Sequence, residues 1–291
     1  MVRLRLLLPL LLLVAFTGAV AAPGGALAAP ATAAAGRVAV DEPATDPAAP
    51  AAPGGQADPA PGDGGGTLRP TRPELPRAQR EVRGPTARAA WTAQVLRAVT
   101  ARAKPSHRAR PVRRLLTRAL WWGGPEVLLV LGARTVDGER WLDVLVKGMP
   151  AGSHGWIPAD ATRLRTTDRR IVVDVSARTL VFQRAGRTKL RTRVVVGAPG
   201  TPTPIGQFAV DAVARVPLSA QLGPRVLAVV AYSRTLAEYD GGLPQTAIHA
   251  SEYLGAPLGT AASHGCVRAP QRTVDRLLTL APRGTPVLIR R

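Results

Sequence analysis

Residues 171–196 read IVVDVSARTLVFQRAGRTKLRTRVVV, and the pattern of apolar and turn residues in them indicates the fold class. Apolar and β-branched residues form three runs, at 171–175, 179–182 and 190–196. Two short connections separate them, Ser176-Ala177-Arg178 and a turn at Ala185-Gly186. Short apolar runs joined by tight turns predict a β-meander.

The residues after this stretch predict more strands and one helix. Candidate strands are apolar runs at 207–210, 226–231, 247–249 and 286–289. Pro270 suits the first position of a helix. Residues that follow it at helical spacing are Val274, Leu277, Leu278 and Ala281. Residues 168–291 are therefore predicted to be a mainly β domain with a short helix.

A smaller β block is predicted ahead of this domain, at residues 119–167, with folded structure beginning near Trp121. Its apolar runs lie at 127–131, 141–146 and 155–158, each bounded by Gly, Asp or Pro. Three short strands within about fifty residues predict a small β-barrel. Its end, Gly-Trp-Ile-Pro-Ala-Asp at 155–160, resembles the SH3-like modules of bacterial cell-wall proteins.

The N-terminus has the pattern of an export signal. Arg3 and Arg5 precede an apolar run at 6–16, and small residues with possible cleavage points follow. We therefore expect a signal peptide at 1–28 and a secreted protein. An uncleaved membrane anchor is the alternative, because residues 6–22 are long enough for a short spanning helix. Residues 29–76, rich in Ala, Pro and Gly, are predicted to be a disordered linker.

The chain carries 39 Lys and Arg against 19 Asp and Glu, a net charge of +20. More than half of this excess lies in residues 77–118, which we interpret as a basic approach segment with some helical character at 89–103. Eleven aromatic residues are too few for a base-stacking platform, so no nucleic-acid partner is expected. The excess of Arg over Lys is equally what a GC-rich coding sequence produces.

Candidate catalytic residues lie in Ile248-His249-Ala250 and in Ser-His-Gly-Cys-Val-Arg at 263–268. Cys266 is the only cysteine, which excludes an intrachain disulfide and a multi-cysteine metal site. A cysteine nucleophile needs a base and donors for an oxyanion. His249 and His264 are the candidate bases, and Gly265 allows a turn that aims the amides of residues 265 and 266 at a carbonyl.

Two further expectations concern Cys266 and the remaining histidines. A helix beginning at Pro270 would place its positive dipole end near Cys266 and favour a thiolate. The alternative to catalysis is a buried, inert cysteine beside a satisfied histidine. His107 and His154 are interpreted as solvated loop residues.

The sequence resembles the L,D-transpeptidases with a YkuD-like catalytic domain. The family signature is an upstream His, a variable gap and then Ser or Thr, His, Gly and Cys; here these are His249 and residues 263–266. Further stretches in the family's order are Ile-Val-Val-Asp at 171–174, Val-Gly-Ala-Pro-Gly-Thr-Pro-Thr-Pro-Ile-Gly-Gln-Phe at 196–208 and Gly-Thr-Pro-Val at 284–287. The resemblance covers about residues 170–290 and implies a β-sandwich fold. A preceding SH3-like block fits arrangements among actinobacterial members.

The resemblance implies roles for five residues. Cys266 is the nucleophile, and His249 is the general base or acid. Ser263 and His264 shape the nucleophile's loop and the substrate pocket. Arg268 stands where many members have Asn and would contact a stem carboxylate. Ala250 replaces the Gly, Ser or Thr often found after the upstream His, so only its backbone carbonyl is available to orient His249.

The implied activity is cross-linking of peptidoglycan in the cell envelope, without a metal or cofactor. A donor tetrapeptide stem would acylate the cysteine and release D-Ala, and the diamino-acid amine of an acceptor stem would take the acyl group. Carbapenem-type inhibitors and anionic wall polymers, the latter through the basic segment, are expected partners. Two alternatives stay open: an L,D-carboxypeptidase that transfers the acyl group to water, and a non-catalytic wall-binding protein.

Overall fold

The computed structural model describes residues 82–215, 222–239, 242–252 and 254–291. The expected signal peptide (1–28) and linker (29–76) lie outside the described residues, as do residues 77–81 of the basic segment. Within the described ranges, no helix is both long and apolar enough to cross a bilayer.

Residues 90–167 form one seven-stranded antiparallel sheet, which we call the N-terminal sheet. Its strands are β1 (Ala90–Val95), β2 (Val99–Arg102), β3 (Pro111–Leu115), β4 (Val127–Val136), β5 (Glu139–Leu145), β6 (His154–Pro158) and β7 (Thr162–Thr167). They are ordered β3-β2-β6-β5-β4-β1-β7. The predicted strands at 127–131, 141–146 and 155–158 are confirmed as parts of β4, β5 and β6. The SH3-like assignment stays a prediction.

The basic segment is part of this sheet, so the expectation that folding begins near Trp121 is wrong. The segment supplies β1, β2 and β3, and the stretch at 89–103, for which some helical character was expected, contains β1 and β2 instead. Ala93, Val95, Ala101 and Leu115 from these strands are buried in the core of the sheet. Ala and Arg favour helices as isolated residues, but pairing with β4, β6 and β7 overrides that preference.

Residues 169–290 form the second β structure, which we call the C-terminal domain. Its elements are β8 (Arg169–Asp174), β9 (Thr179–Arg184), β10 (Arg187–Arg193), β11 (Val196–Gly197), β12 (Gly206–Arg215), β13 (Arg225–Tyr232), β14 (Gln245–Ala250), β15 (Ala261–Ser263), β16 (Val267–Ala269), α1 (Gln271–Leu280) and β17 (Pro286–Arg290). Eight strands are ordered β10-β9-β8-β17-β12-β13-β14-β16, and β11 pairs with β15. The predicted meander is confirmed as β8, β9 and β10.

The helix α1 packs against β13 and β14 through the predicted apolar face. Val274 and Leu277 are fully buried, and Leu278 is partly buried against the same core. Pro270 lies one position earlier than predicted, as the residue that caps the helix. The helix thus closes one side of the core under the strands that carry the catalytic motif.

The two β structures share a small apolar cluster. Ala90, Leu129 and Leu145 from the N-terminal sheet pack with residues of the C-terminal domain, among them Val230 and Tyr232. All described residues fall in one compact unit. The N-terminal sheet is therefore packed on the strands β12 and β13, and β13 pairs with β14, which carries His249.

Candidate active site

Strands β14 and β16 bring the two halves of the sequence motif together. They pair in parallel, with Ile248 opposite Val267 and His249 opposite Arg268. Ile248 and Val267 point into the hydrophobic core. Because side chains alternate along a strand, His249 and Arg268 lie on the opposite face, and the charge of Arg268 acts on both His249 and Cys266. The strand pairing thus gathers residues that are 17 to 19 positions apart in the chain.

Cys266 lies immediately before β16 and is a free, half-buried thiol. Its Sγ accepts a hydrogen bond from the backbone N–H of Ala247 at 3.4 Å. Burial raises the pKa of the thiol, while the Ala247 amide and the positive charge of Arg268 act in the opposite direction. Burial therefore favours the thiol form of Cys266, and a nucleophilic role would need a base to take its proton.

The positive end of α1 has a carboxylate as its partner, and the expectation that the helix favours a thiolate at Cys266 stays a prediction. The first amide of the helix, Gln271 N–H, donates to Glu252 Oε1 at 2.8 Å. Burial raises the pKa of Glu252, but this bond and those from Ser251 outweigh it and lower the pKa overall. A carboxylate thus occupies the positive end of the helix.

His249 is buried, with a ring orientation set by one hydrogen bond. Its Nδ1 lies 2.9 Å from the carbonyl oxygen of Ala250, which can only accept, so Nδ1 carries the proton and Nε2 has a free lone pair. Burial lowers the pKa of His249 to about 4, the Ala250 bond opposes this, and Arg268 adds to it. The ring is a neutral base at pH 7. The predicted orienting role of the Ala250 carbonyl is confirmed.

Ser263 ties together the loop that precedes Cys266. Its Oγ donates to the carbonyl of Cys266 at 2.6 Å and accepts from the N–H of Gly265 at 3.2 Å. Gly265 has a φ of +111°, a conformation that a residue with a Cβ rarely adopts. Since the Gly265 amide already has an acceptor within the loop, only the Cys266 amide remains of the two predicted oxyanion donors.

The loop at residues 197–206 supports the motif from its other side. β11 pairs in parallel with β15, and Thr201 Oγ1 donates to the Ser263 carbonyl at 3.0 Å. A Cβ on Gly197 would lie within 2.3 Å of the Thr201 carbonyl oxygen, so the chain passes too closely for any side chain. Thr203 Oγ1 accepts from the Gly197 N–H at 2.8 Å. These contacts give the loop a structural role.

The other histidines lie apart from this pair. His264 is exposed, with its ring centroid 5.7 Å from that of Tyr239. His107 Nε2 lies 2.9 Å from Glu139, and His154 Nδ1 lies 2.7 Å from Asp143, both in the N-terminal sheet. Of the candidate bases, His249 lies on β14, the strand whose Ala247 amide contacts Cys266 Sγ.

Arg268 is a buried cation without an acidic partner among the described residues. It is 8% exposed, and its Nε has no hydrogen-bond partner in that part of the chain. Its backbone is paired with Val195 in both directions, at 2.9 Å. The backbone is therefore held firmly, while the guanidinium retains capacity for an anion.

Two contacts of the site have no counterpart in the sequence motif. The Ala247 amide that contacts Cys266 is a backbone group, so no residue type marks it. Glu252 reaches the helix terminus from 19 positions away, and the sequence between carries no spacing signal. Within the described ranges, no group of three or more His, Cys, Asp or Glu side chains could hold a metal ion.

Residues 168–289 match the family model YkuD, the L,D-transpeptidase catalytic domain. This part of the chain is a YkuD domain. The resemblance expected for about residues 170–290 is confirmed, and the YkuD domain carries Cys266, His249 and Arg268. No relative was found among curated proteins.

Solved L,D-transpeptidase structures resemble the chain. The catalytic domain of the Enterococcus faecium L,D-transpeptidase is 24% identical; the match covers 42% of this chain and 96% of that one, with a TM-score of 0.31. The Mycobacterium smegmatis L,D-transpeptidase is 15% identical; the match covers 53% of this chain and 91% of that one, with a TM-score of 0.34. Mycobacterium tuberculosis L,D-transpeptidase 3, solved with a faropenem-derived adduct, is 14% identical; the match covers 61% of this chain and 96% of that one, with a TM-score of 0.38.

Proposed function

We propose that this protein is a peptidoglycan L,D-transpeptidase in which Cys266 is the nucleophile and His249 the general base and acid. One observation carries the proposal: a neutral, buried imidazole with a free Nε2 lies on β14, the strand whose Ala247 amide contacts the only thiol. A protonated thiol beside a neutral base is poised to become a nucleophile as it attacks.

The first half of the reaction forms a thioester. Cys266 Sγ attacks the carbonyl that joins the third residue of a donor tetrapeptide stem to its terminal D-Ala, and the thiol proton passes to His249 Nε2. The Cys266 amide stabilises the oxyanion. The C–N bond breaks, and D-Ala leaves with the proton from His249 on its amine.

The second half transfers the acyl group. The side-chain amine of a diamino acid on an acceptor stem attacks the thioester carbonyl, and His249 accepts the amine proton. The C–S bond breaks, the proton returns to Cys266, and the product links two third-position diamino acids. The same thioester attacked by water would give a tripeptide, which is the carboxypeptidase alternative.

Arg268 supplies the binding charge in this proposal. Stem peptides carry carboxylates, and a guanidinium binds a carboxylate through two parallel hydrogen bonds. A buried cation without a protein carboxylate is costly unless an anion binds to it. We assign Arg268 to the stem carboxylate next to the scissile bond, which deepens the role that the motif predicts.

Export to the envelope, by signal cleavage or with an N-terminal anchor, is part of the proposal and rests on residues 1–28. Retention by anionic wall polymers rests on the charge of residues 77–118. Since these residues include β1 to β3, deleting them would disrupt the fold. The better test reverses exposed charges, as in R114E/R118E, and measures salt-sensitive binding to isolated walls, where an unchanged binding curve removes the hypothesis.

The function is tested with the full-length protein and defined tetrapeptide-stem muropeptides, analysed by mass spectrometry. A cross-linked dimer that Cys266→Ala does not form supports transfer. Formation of tripeptide without dimer would show hydrolysis of the thioester and support the carboxypeptidase alternative. Neither product, together with binding to isolated walls, supports the non-catalytic alternative. A carbapenem serves as the acylation probe, because a mass shift that is lost in Cys266→Ala reports the thioester directly.

A further inference from the structure

A buried polar cluster joins the N-terminal sheet to the strand that carries the base. We call it the Lys147 cluster; it consists of Trp122, Glu126, Lys147, Asp211, Gln245 and Arg283. Lys147 Nζ forms ion pairs with Glu126 at 3.0 Å and with Asp211 at 2.5 Å. Both carboxylates and the ammonium are less than a tenth exposed. The cluster thus places fixed charges inside the junction of the two β structures.

Gln245 is the member of the cluster that belongs to the catalytic strand. Its Nε2 donates to Asp211 Oδ2 at 2.9 Å and to the Val229 carbonyl at 3.0 Å. Its Oε1 accepts from Trp122 Nε1 of the N-terminal sheet at 3.1 Å. The amide therefore has two acceptors at its nitrogen and a donor at its oxygen, an arrangement that permits only one orientation.

Arg283 closes the cluster from the turn that follows α1. Its Nη1 donates to the backbone carbonyl of Asp211 at 2.8 Å, and its Nη2 lies 3.4 Å from the carbonyl of Trp122. The indole and the amide of Gln245 are thus held from β12, β13, the N-terminal sheet and the α1–β17 turn at once. Hydrogen bonds from several directions restrict the position of Gln245 more than apolar packing would.

Gln245 and the site share one strand. Along β14, the residues two and four positions after Gln245 are Ala247, whose amide contacts Cys266 Sγ, and His249. Residues at even spacing on a strand share a face, and two positions span about 7 Å. A small shift of β14 at Gln245 therefore reaches the Ala247 amide directly.

A purely adhesive role would not need these charges. Buried ion pairs are often replaced by apolar residues without loss of stability, because desolvation offsets their attraction. The apolar cluster around Val230 and Tyr232 already holds the two β structures together. Directional bonds add one thing that apolar contacts lack, which is a defined position for the groups they bind.

We propose that Trp122 and Gln245 are positioning residues, so that the N-terminal sheet holds β14 where its Ala247 amide meets Cys266 Sγ. This inference rests on the proposed function for its importance to catalysis. The N-terminal sheet is then a working part of the enzyme, and its contribution to the site is made through a strand of the YkuD domain.

The test measures how fast iodoacetamide alkylates Cys266 in the full-length protein across pH, for wild type and Trp122→Phe. Phe keeps a ring and removes only the indole N–H. The Ala247 amide favours the thiolate, so Trp122→Phe, which loosens β14, should raise the pH midpoint of the alkylation rate by about 0.5. Below that midpoint, alkylation should be about threefold slower than in wild type. Arg268, the charged group that acts on both Cys266 and His249, is unchanged in this variant.

Trp121→Phe is the matched control, since this neighbouring indole is 59% exposed. Its alkylation profile should overlay that of wild type. Equal midpoints for Trp122→Phe and Trp121→Phe would overturn the inference. The double variant W122F/Q245L should shift the midpoint of the alkylation profile no further than Q245L alone, because the Trp122 indole acts on β14 through its hydrogen bond to Gln245; additive shifts would also overturn the inference.

Two different probes test the proposed function and the positioning role. Carbapenem acylation of wild-type Cys266 tests the function, whereas iodoacetamide needs only a thiolate. Suppose the alkylation midpoints of Trp122→Phe and Trp121→Phe differ, but a carbapenem does not acylate the wild-type protein. That result would support the positioning role and contradict the transpeptidase function. If Q245L does not fold, Trp122→Phe against Trp121→Phe decides alone, with thermal unfolding recorded for both.

Discussion

Two buried cations occupy very different surroundings in this protein. Lys147 is 6% exposed and contacts two carboxylates, Glu126 and Asp211. Arg268 is 8% exposed and contacts no carboxylate among the described residues. Burial of a charge costs free energy unless a partner offsets it. The comparison therefore separates a cation whose counter-ions belong to the fold from one whose counter-ion must come from a ligand.

The same contrast extends to the groups around each cation. The Lys147 cluster connects elements distant in sequence, and its directional bonds end at a strand. The groups around Arg268 include a thiol and a neutral imidazole, which have chemistry to offer a ligand. Variants near Arg268 should therefore lose chemistry, whereas variants in the Lys147 cluster should lose stability.

Cys266→Ala should abolish carbapenem acylation, a loss of at least about a thousandfold, without lowering the melting temperature. His249→Gln should slow acylation about 10² to 10⁴-fold, because the thiol loses its base. Intact-protein mass spectrometry and thermal unfolding measure both. If a carbapenem still acylated Cys266→Ala, the nucleophile would be a residue other than Cys266.

Lys147→Met should destabilise the protein by about 3–5 kcal/mol, because it leaves two buried carboxylates without their cation. Burial already raises the pKa of Glu126, with Lys147 acting in the opposite direction. Urea unfolding measures the effect, and Lys189→Met, at an exposed position, should stay within about 0.5 kcal/mol of wild type. A stability loss as small as that of the control would contradict a structural role for the cluster.

Arg268→Gln should raise the KM for the donor stem about 10 to 100-fold, equivalent to about 1.5–3 kcal/mol for a charged hydrogen bond. The stability of the variant should not fall, because no acidic side chain among the described residues loses a partner. Steady-state kinetics give the split between KM and kcat. Arg272→Gln, on the exposed face of α1, serves as the control. A large loss of stability with unchanged KM would place Arg268 with Lys147, as a structural cation.

Stability should fall as pH is lowered from about 6.5 towards 4. The folded state holds His249 neutral, with a pKa of about 4, below its ordinary value of 6.5, so the unfolded chain binds the extra proton in this window. The contribution is about 1–3 kcal/mol and should be missing in His249→Gln. Urea unfolding at several pH values tests this, and parallel curves for wild type and variant would show that His249 is not buried as described.

His264→Ala should have the smallest effect, less than about threefold on acylation, since the ring is exposed and contacts Tyr239 rather than the buried pair. The same mass assay measures it. A loss comparable to that of His249→Gln would assign His264 a part in proton transfer and weaken the contrast between the two regions.

Local patterns predicted much of the fold. The meander at β8 to β10, the strands β4 to β6 and the helix α1 follow from apolar periodicity and turn residues within a few positions of one another. The error at residues 89–118 has a physical cause. Ala93 and Ala101 are fully buried, yet Ala and Arg carry little strand signal, and only pairing with distant strands makes them part of a sheet.

The site shows the same division. The residue types could be read from the sequence, because Cys266, His249 and Arg268 form a recognisable chemical set, and the sequence also indicated the Ala250 carbonyl as the partner of His249. The protonation states and free hydrogen-bonding groups of these residues depend on the folded structure. Burial sets the pKa of the thiol and of the imidazole, Glu252 takes the helix terminus, and Ser263 takes the Gly265 amide.

The Lys147 cluster was decided by tertiary structure alone. Its members are spread over more than 160 positions, from Trp122 to Arg283, and none has a local partner that a pattern could reveal. Periodicity and motifs report interactions between neighbours in the chain, which the sequence states directly. Desolvation and long-range hydrogen bonds depend on which distant segments meet, and the folded chain alone brings those segments together.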